Sequence, residues 1–183
     1  MSWADSKVYL STPEEVVALD TTKPRNGAPG LPGEFRWCYA ELESGEVVLQ
    51  KRRLCLNTSG GSTLTSGLLA ELTTTSQENV LSLANVTCTR DALAGFVPEK
   101  VNESALGGVA QGVVPDDYWF WAIVEGKCDM ISAAAIAAGA ALEAAAAGQV
   151  DDTGVAAGTD IGRCIEAGVA AGSQKFEGMA RIA

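Results

Sequence analysis

Apolar residues in this chain recur with a period of two rather than 3.6, the signature of strands rather than helices. Phe35, Trp37 and Tyr39 alternate with Glu34, Arg36 and Cys38 over residues 34–42. Glu43-Ser44-Gly45-Glu46 is turn chemistry and residues 47–56 are a second strand, so the two read as a hairpin. Val80, Ser82 and Ala84 oppose Leu81, Leu83 and Asn85 in a strand over 80–89. Residues 106–114 form a Gly-rich apolar run, read as a strand whose small residues let another backbone approach closely. Residues 128–132 read as a short return strand, and 161–167 and 176–182 as two final strands.

The densest apolar stretch is 116–126, Asp-Asp-Tyr-Trp-Phe-Trp-Ala-Ile-Val-Glu-Gly. Aromatic and β-branched residues at this density predict a strand, closed by a turn at Glu125-Gly126-Lys127. Tyr118, Phe120, Ala122 and Val124 lie on one side, and Trp119, Trp121 and Ile123 on the other. A strand apolar on both sides has to be covered on both. It is therefore central to a sandwich, a barrel or a subunit interface.

Between these elements the signals are weaker. Residues 57–67 are rich in Ser, Thr and Gly and read as an exposed loop, 68–79 as ambiguous, and 91–101 as a short turn stopped near Pro98. Alanine propensity makes 133–147 a helix, but Gly139 and the lack of a stripe of large apolar residues favour a turn and strand around 136–142. Residues 1–33 carry Pro13, Pro24, Pro29 and Pro32 with Gly27, Gly30 and Gly33, which prevent long regular structure. Ser11-Thr12-Pro13 is placed to cap a short helical turn through Val16, Val17 and Leu19. The apolar end with Trp3, Val8, Tyr9 and Leu10 is read either as a poorly ordered terminus or as an arm laid on a neighbouring subunit. The expected organisation is an extended N-terminal arm, 1–33, and one β-rich domain, 34–183. The expected fold is mainly β, an antiparallel β-sandwich or barrel-like body with few short helical turns.

Charge narrows the partners. With 13 basic and 23 acidic residues the net charge is −10, which argues against binding a phosphate backbone. Lys51-Arg52-Arg53, inside a strand, reads as a solvated face or a partner salt bridge. Residues 131–147 are too short and too weakly apolar to span a bilayer. The chain has no basic, apolar leader pattern at its start.

Candidate chemistry is sparse. The chain has no histidine, the commonest general base and nitrogen ligand. Cys38, Cys55, Cys88, Cys128 and Cys164 are odd in number and dispersed, matching neither a zinc site nor a disulfide framework. Asp116-Asp117 and Asp151-Asp152 lack the alternation of a calcium loop, and Gly60-Gly61 and Gly107-Gly108 lack the pattern of a phosphate loop. No catalytic, cofactor-binding or metal-ligating residue is therefore expected. Trp37, Tyr39, Tyr118, Trp119, Phe120 and Trp121 suit a core, a subunit interface or a platform for stacking sugars. The expected interface residues are Trp3, Tyr9, Trp37, Trp119 and Trp121.

The order of these features resembles that of tailed-bacteriophage head proteins. The pair over 33–42 and 45–54 is similar to their opening strands, and Gly107-Gly108-Val109-Ala110 to a following Gly-Val-Ala strand. Residues 117–126 resemble their aromatic strand, 136–142 the segment after it, and 148–152 and 161–167 an acidic loop and the next strand. The resemblance covers most of 33–183 through short motifs, and it favours turn and strand over helix at 133–147. It implies a capsid decoration (cement) protein or related virion protein. Such a protein would be made in the host cytoplasm, form a homotrimer and bind the major capsid protein on the capsid exterior. It would have no cofactor, nucleic-acid or membrane partner. A carbohydrate-binding or adhesion module on the head or tail is the alternative.

Overall fold

The computed structural model describes residues 17–42, 44–61, 63–73, 75–76, 78–85, 87–98, 113–155, 159–166, 169–170 and 174–182. They form a mainly β molecule with short 3-10 turns and no α-helix among the described residues. In chain order the strands are β1 (Val17–Ala18), β2 (Phe35–Glu41), β3 (Val47–Asn57), β4 (Leu64–Thr65), β5 (Leu69–Leu72), β6 (Asn79–Leu83) and β7 (Leu93–Phe96). After them come β8 (Val113–Val114), β9 (Tyr118–Ile131), β10 (Ala141–Ala144), β11 (Val150–Asp151), β12 (Gly162–Cys164) and β13 (Lys175–Arg181).

One sheet runs in the order β11-β10-β12-β13-β9-β7-β5-β6-β3-β2. Strand β9 also pairs with β3, so β9, β7, β5, β6 and β3 close on themselves as a small barrel. The closing contact between β3 and β6 is parallel, while the neighbouring pairs are antiparallel. Inside the barrel lie Cys55, Leu64, Ala70, Leu72, Val80, Ala94, Val97, Phe120 and Ala122. A second core, with Phe96, Ile123, Val124, Cys128, Met130, Leu142 and Phe176, fills the space beneath the open part of the sheet. The barrel-like, mainly β body is thus the one the alternating pattern implies.

Strand β9 is the centre, for the reason its two apolar sides suggest. Its Phe120 and Ala122 point into the barrel, while Trp119 and Trp121 pack outside it with Leu54 and Leu56. That outer pair is roofed by residues 17–33: Val17, Leu19 and Ala28 pack on it, and Trp119 Nε1 donates to the Asn26 carbonyl at 3.2 Å.

Several expectations are corrected. Glu125-Gly126-Lys127 is not a turn and 128–132 is not a separate strand, because β9 runs unbroken to Ile131. The irregularity is taken up inside the strand: the β3–β9 register shifts at Val124, between the pairs Arg52–Ile123 and Lys51–Glu125, and Gly126, with φ of +111°, lies where the β3 backbone comes close. An added Cβ there would lie 2.6 Å from the Leu49 carbonyl oxygen. Residues 93–96, read as part of a turn, are instead the fully buried β7. Pro98 follows that strand and does not prevent it.

The end of the loop 57–67 is not wholly exposed, since Leu64 is buried and β4 pairs with β8. Val17 and Ala18 form a strand on β9 rather than part of a helical turn. Residues 133–147 form turn and strand rather than helix, but the strand is Ala141–Ala144 instead of 136–142, where Ile136 makes only an isolated bridge to Val169 and a turn follows at 138–139. The remainder of the arm, residues 1–16, and most of the Gly-rich run over 106–114 lie outside the described residues.

Candidate functional site: the open face of the sheet

Hairpin β2–β3 pairs in continuous register, Phe35 with Arg53, Trp37 with Lys51, Tyr39 with Leu49 and Glu41 with Val47. In a strand pair, residues directly opposite project from the same face. The odd-numbered residues therefore share one side. That side is inside the barrel at Cys55 but opens from Lys51 outward, where the barrel wall ends and, among the described residues, no layer covers β2. Phe35, Trp37 and Tyr39 are 44, 43 and 50% exposed, and Val47 and Leu49 beside them are also exposed.

The face continues across the sheet. Lys51 pairs with Glu125 on β9, and Glu125 pairs with Arg181 on β13. One row thus reads Trp37, Lys51, Glu125, Arg181, with charges alternating behind the aromatic edge. Further along, Met179 pairs with Lys127 and is exposed, and Glu177 pairs with Asp129. Lys127 makes ion pairs with Glu46 and, at 2.7 Å, with Glu177; Lys175 reaches Asp129 at 3.5 Å. Lys51 and Arg53 stand over the Phe35 ring, 5.0 and 4.7 Å from its centroid. Lys51, Arg53, Lys127, Lys175 and Arg181 are five of the chain's 13 basic residues. The face is therefore close to charge balance on a protein of net charge −10.

Buried hydrogen bonds lie beneath the face. Gln50 and Arg52, on the inner side of β3, are both buried. Arg52 donates through Nε and one terminal nitrogen to Gln50 Oε1 at 2.9 and 2.7 Å, and Gln50 Nε2 donates to the Lys127 carbonyl at 2.7 Å. These bonds tie β3 to β9 at the point where their register slips.

The residues expected at an interface separate into three groups. Trp37 is on the open face. Trp119 and Trp121 are interior, 2 and 5% exposed, and Arg36 stacks on the Trp121 ring at 4.7 Å. Trp3 and Tyr9 lie outside the described residues. Sequence reasoning missed Phe35, Leu49 and Met179 as surface residues, and of the cluster it read as a solvated face or partner salt bridge, Lys51 is on the open face while Arg52 is buried. A signal for Phe35 and Leu49 was present: the short turn at 43–46 fixes the hairpin register and sets Lys51 opposite Trp37.

Elsewhere there is a cleft of about 480 Å³ lined by both polar and apolar residues, among them Glu71, Leu72, Thr73, Thr89, Asp91 and Ala92. Among the described residues no group of three or more His, Cys, Asp or Glu is gathered as metal ligands would be. No helix among them is long and apolar enough to cross a membrane. Four of the five cysteines are buried, and Cys88 is partly exposed. Burial pushes the Cys55 thiol up to about 12.

No protein-family model matches this chain, and no curated protein matches it. Among solved structures it is similar to the head fiber gp8.5 N base of bacteriophage phi29. The identity is 13% and the TM-score 0.46, over 71% of this chain and 92% of that one.

Proposed function

We propose that this chain is a structural protein of a bacteriophage virion that binds the outer surface of the capsid and stabilises junctions between capsomers. It acts by contact rather than by catalysis. The observation that carries this reading is the open face: a surface four strands wide with an aromatic edge and nearly balanced charge. Such a surface suits another protein surface better than it suits a small ligand, which calls for a concave pocket. Four strands about 4.8 Å apart and some seven residues long span roughly 450 Å². A standard interface buries about 800 Å² on each partner, so this face supplies about half of one. Attachment through it gains from many copies bound side by side, each adding a modest contact to the same shell. The order of motifs that resembles tailed-phage head proteins supports the same reading.

The test is the purified particle. The protein should co-purify with capsids at a fixed stoichiometry, and particles lacking it should lose their genome at a lower temperature. Its absence from purified particles sinks the reading.

A second reading rests on the same edge. Phe35, Trp37 and Tyr39 alternate on β2 and present three exposed rings in a line, a geometry that also suits stacking on sugar rings. Binding to a glycan array that is lost in Trp37→Ala, with the fold intact, would favour a carbohydrate-binding module. Trp119 and Trp121 cannot serve as this platform, being interior.

A further inference from the structure

The open face holds two cations for which the fold supplies no counter-ion. Lys51 and Arg53 stand over the exposed Phe35 ring, and neither makes an ion pair among the described residues. Cations close by are compensated: Lys127 by Glu46 and Glu177, Lys175 by Asp129, and Arg36 by Glu34. Arg52, between the two, is buried against Gln50. Glu125 sits opposite Lys51 in register, yet its carboxylate forms no ion pair with it. The charge of the face is thus balanced overall but not locally. Positive charge is left over beside Phe35, on a chain of net charge −10.

Arg53 is the more telling of the pair. The alternation that turns Cys55 into the barrel brings Arg53 to its mouth, where Nη1 donates to the Leu93 carbonyl of β7 at 3.2 Å. Its Nε is buried without a hydrogen-bond partner, and its Nη2 has none among the described residues. Nε–H and Nη2–H lie along one edge of the guanidinium, the edge that matches the two oxygens of a carboxylate. Burial lowers the Arg53 pKa, because a desolvated cation without a counter-ion is costly. An arriving carboxylate offsets that cost.

We propose that Lys51 and Arg53 are the point at which an acidic segment of a partner protein docks, one carboxylate on the Nε–Nη2 edge of Arg53 and a second on the Lys51 ammonium. Phe35, 44% exposed and free to turn aside, then uncovers Nε. The two cations are two residues apart on one strand, about 6.8 Å between Cα atoms. An extended segment with acidic residues at alternate positions has the same spacing and engages both. The surrounding side chains select a protein over other anions. Trp37 and Leu49, 43 and 45% exposed, offer apolar contact beside the cations. A nucleic-acid backbone calls for a longer run of cations and is repelled by the net charge of −10. The site takes the open face as the attachment surface and so rests on the reading above. Its test uses no capsid, so the two fail separately.

The probe is hexaglutamate blocked at both ends, followed through the Arg53 Nε–H and Trp37 indole N–H resonances of the isotopically labelled full chain. Both should shift on titration, and blocked hexaglutamine should shift neither. Raising NaCl from roughly 20 to roughly 200 mM should weaken binding, as pairing of surface charges requires. Lys51→Gln and Arg53→Gln should each raise the Kd at least about fivefold. Arg25 is an exposed cation among the residues that roof Trp119, on the opposite side of the sheet. Arg25→Gln should change the Kd by less than about twofold, since only net charge is altered there. The Lys51 variant keeps the test open if Arg53→Gln does not fold. Unmoved resonances at millimolar peptide, hexaglutamine binding as tightly, or equal losses in all three variants would overturn the proposal. Inorganic phosphate that binds the same two residues more tightly than hexaglutamate would also overturn it, by assigning the site to a small anion.

Discussion

The Arg52 guanidinium donates two hydrogen bonds to Gln50 Oε1, two residues away on the same strand and wholly shielded from water. Gln50 passes the connection on through Nε2 to the Lys127 carbonyl of β9. Gln50→Leu therefore removes an acceptor of two hydrogen bonds from a buried cation and the donor to a main-chain carbonyl at once. Each buried hydrogen-bonding group that loses a partner costs about 1–3 kcal/mol, so a loss of roughly 2–4 kcal/mol is expected in urea unfolding. Adding Arg52→Met to that variant should cost less than the two changes summed, since the two share the same pair of hydrogen bonds.

Gly126 and Gly45 share a positive φ, +111° and +84°, but differ in what surrounds them. A Cβ on Gly126 would meet the Leu49 carbonyl oxygen at 2.6 Å, whereas nothing lies within 4 Å of one on Gly45. Gly45→Ala should cost about 1 kcal/mol, the backbone penalty alone. Gly126→Ala should cost at least about 2 kcal/mol more, because β3 and β9 must separate. Equal melting temperatures for the two variants would contradict the close approach of β3 to Gly126.

Trp119 and Trp37 report on inside and outside. Trp119→Ala opens the packing beneath residues 17–33 and should cost about 3–5 kcal/mol. Trp37→Ala removes an exposed ring and should stay within about 0.5 kcal/mol for the monomer. Chemical denaturation at a concentration too low for association separates these outcomes.

The Lys127 ion triad gives stability a pH dependence of known sign. Donating to Glu177 and Glu46 holds the Lys127 ammonium above its ordinary 10.5, and accepting from Lys127 holds the Glu177 carboxyl below its ordinary 4.5. The Glu177 contribution is complete above pH 4.5 and is lost as pH falls through the lower folded value. The Lys127 contribution is complete below pH 10.5 and is lost as pH rises through the higher folded value. Lys127→Met should cost about 0.5–1 kcal/mol at neutral pH and low salt, less at high salt, and should flatten stability on the acid side.

Thiol chemistry should find one site. Cys38, Cys55, Cys128 and Cys164 are buried and Cys88 is partly exposed. Burial raises the Cys88 pKa as well, so even this thiol is a slow nucleophile. A maleimide at pH 8 should label the native chain once, slowly, and not at all in Cys88→Ser. Unfolded chain should label five times.

The sequence by itself determined what rests on local periodicity. Alternation over 34–42 and 47–56 and the turn between them specify a hairpin, and the apolar residues on both sides of 118–124 specify a central strand. These hold because strand periodicity and turn chemistry are properties of a few consecutive residues. Only the tertiary structure decided which face is covered. Phe35, Trp37 and Tyr39 match Trp119 and Trp121 in hydrophobicity, yet the first set faces water and the second is roofed by residues 17–33. That difference comes from where the barrel closes, through the pairing of β3 with β6 and β9, strands distant in sequence. The same long-range pairing carried β9 straight through Glu125-Gly126-Lys127. A glycine that ends a strand and a glycine that lets another backbone come close inside one read alike until the neighbouring strand is in place.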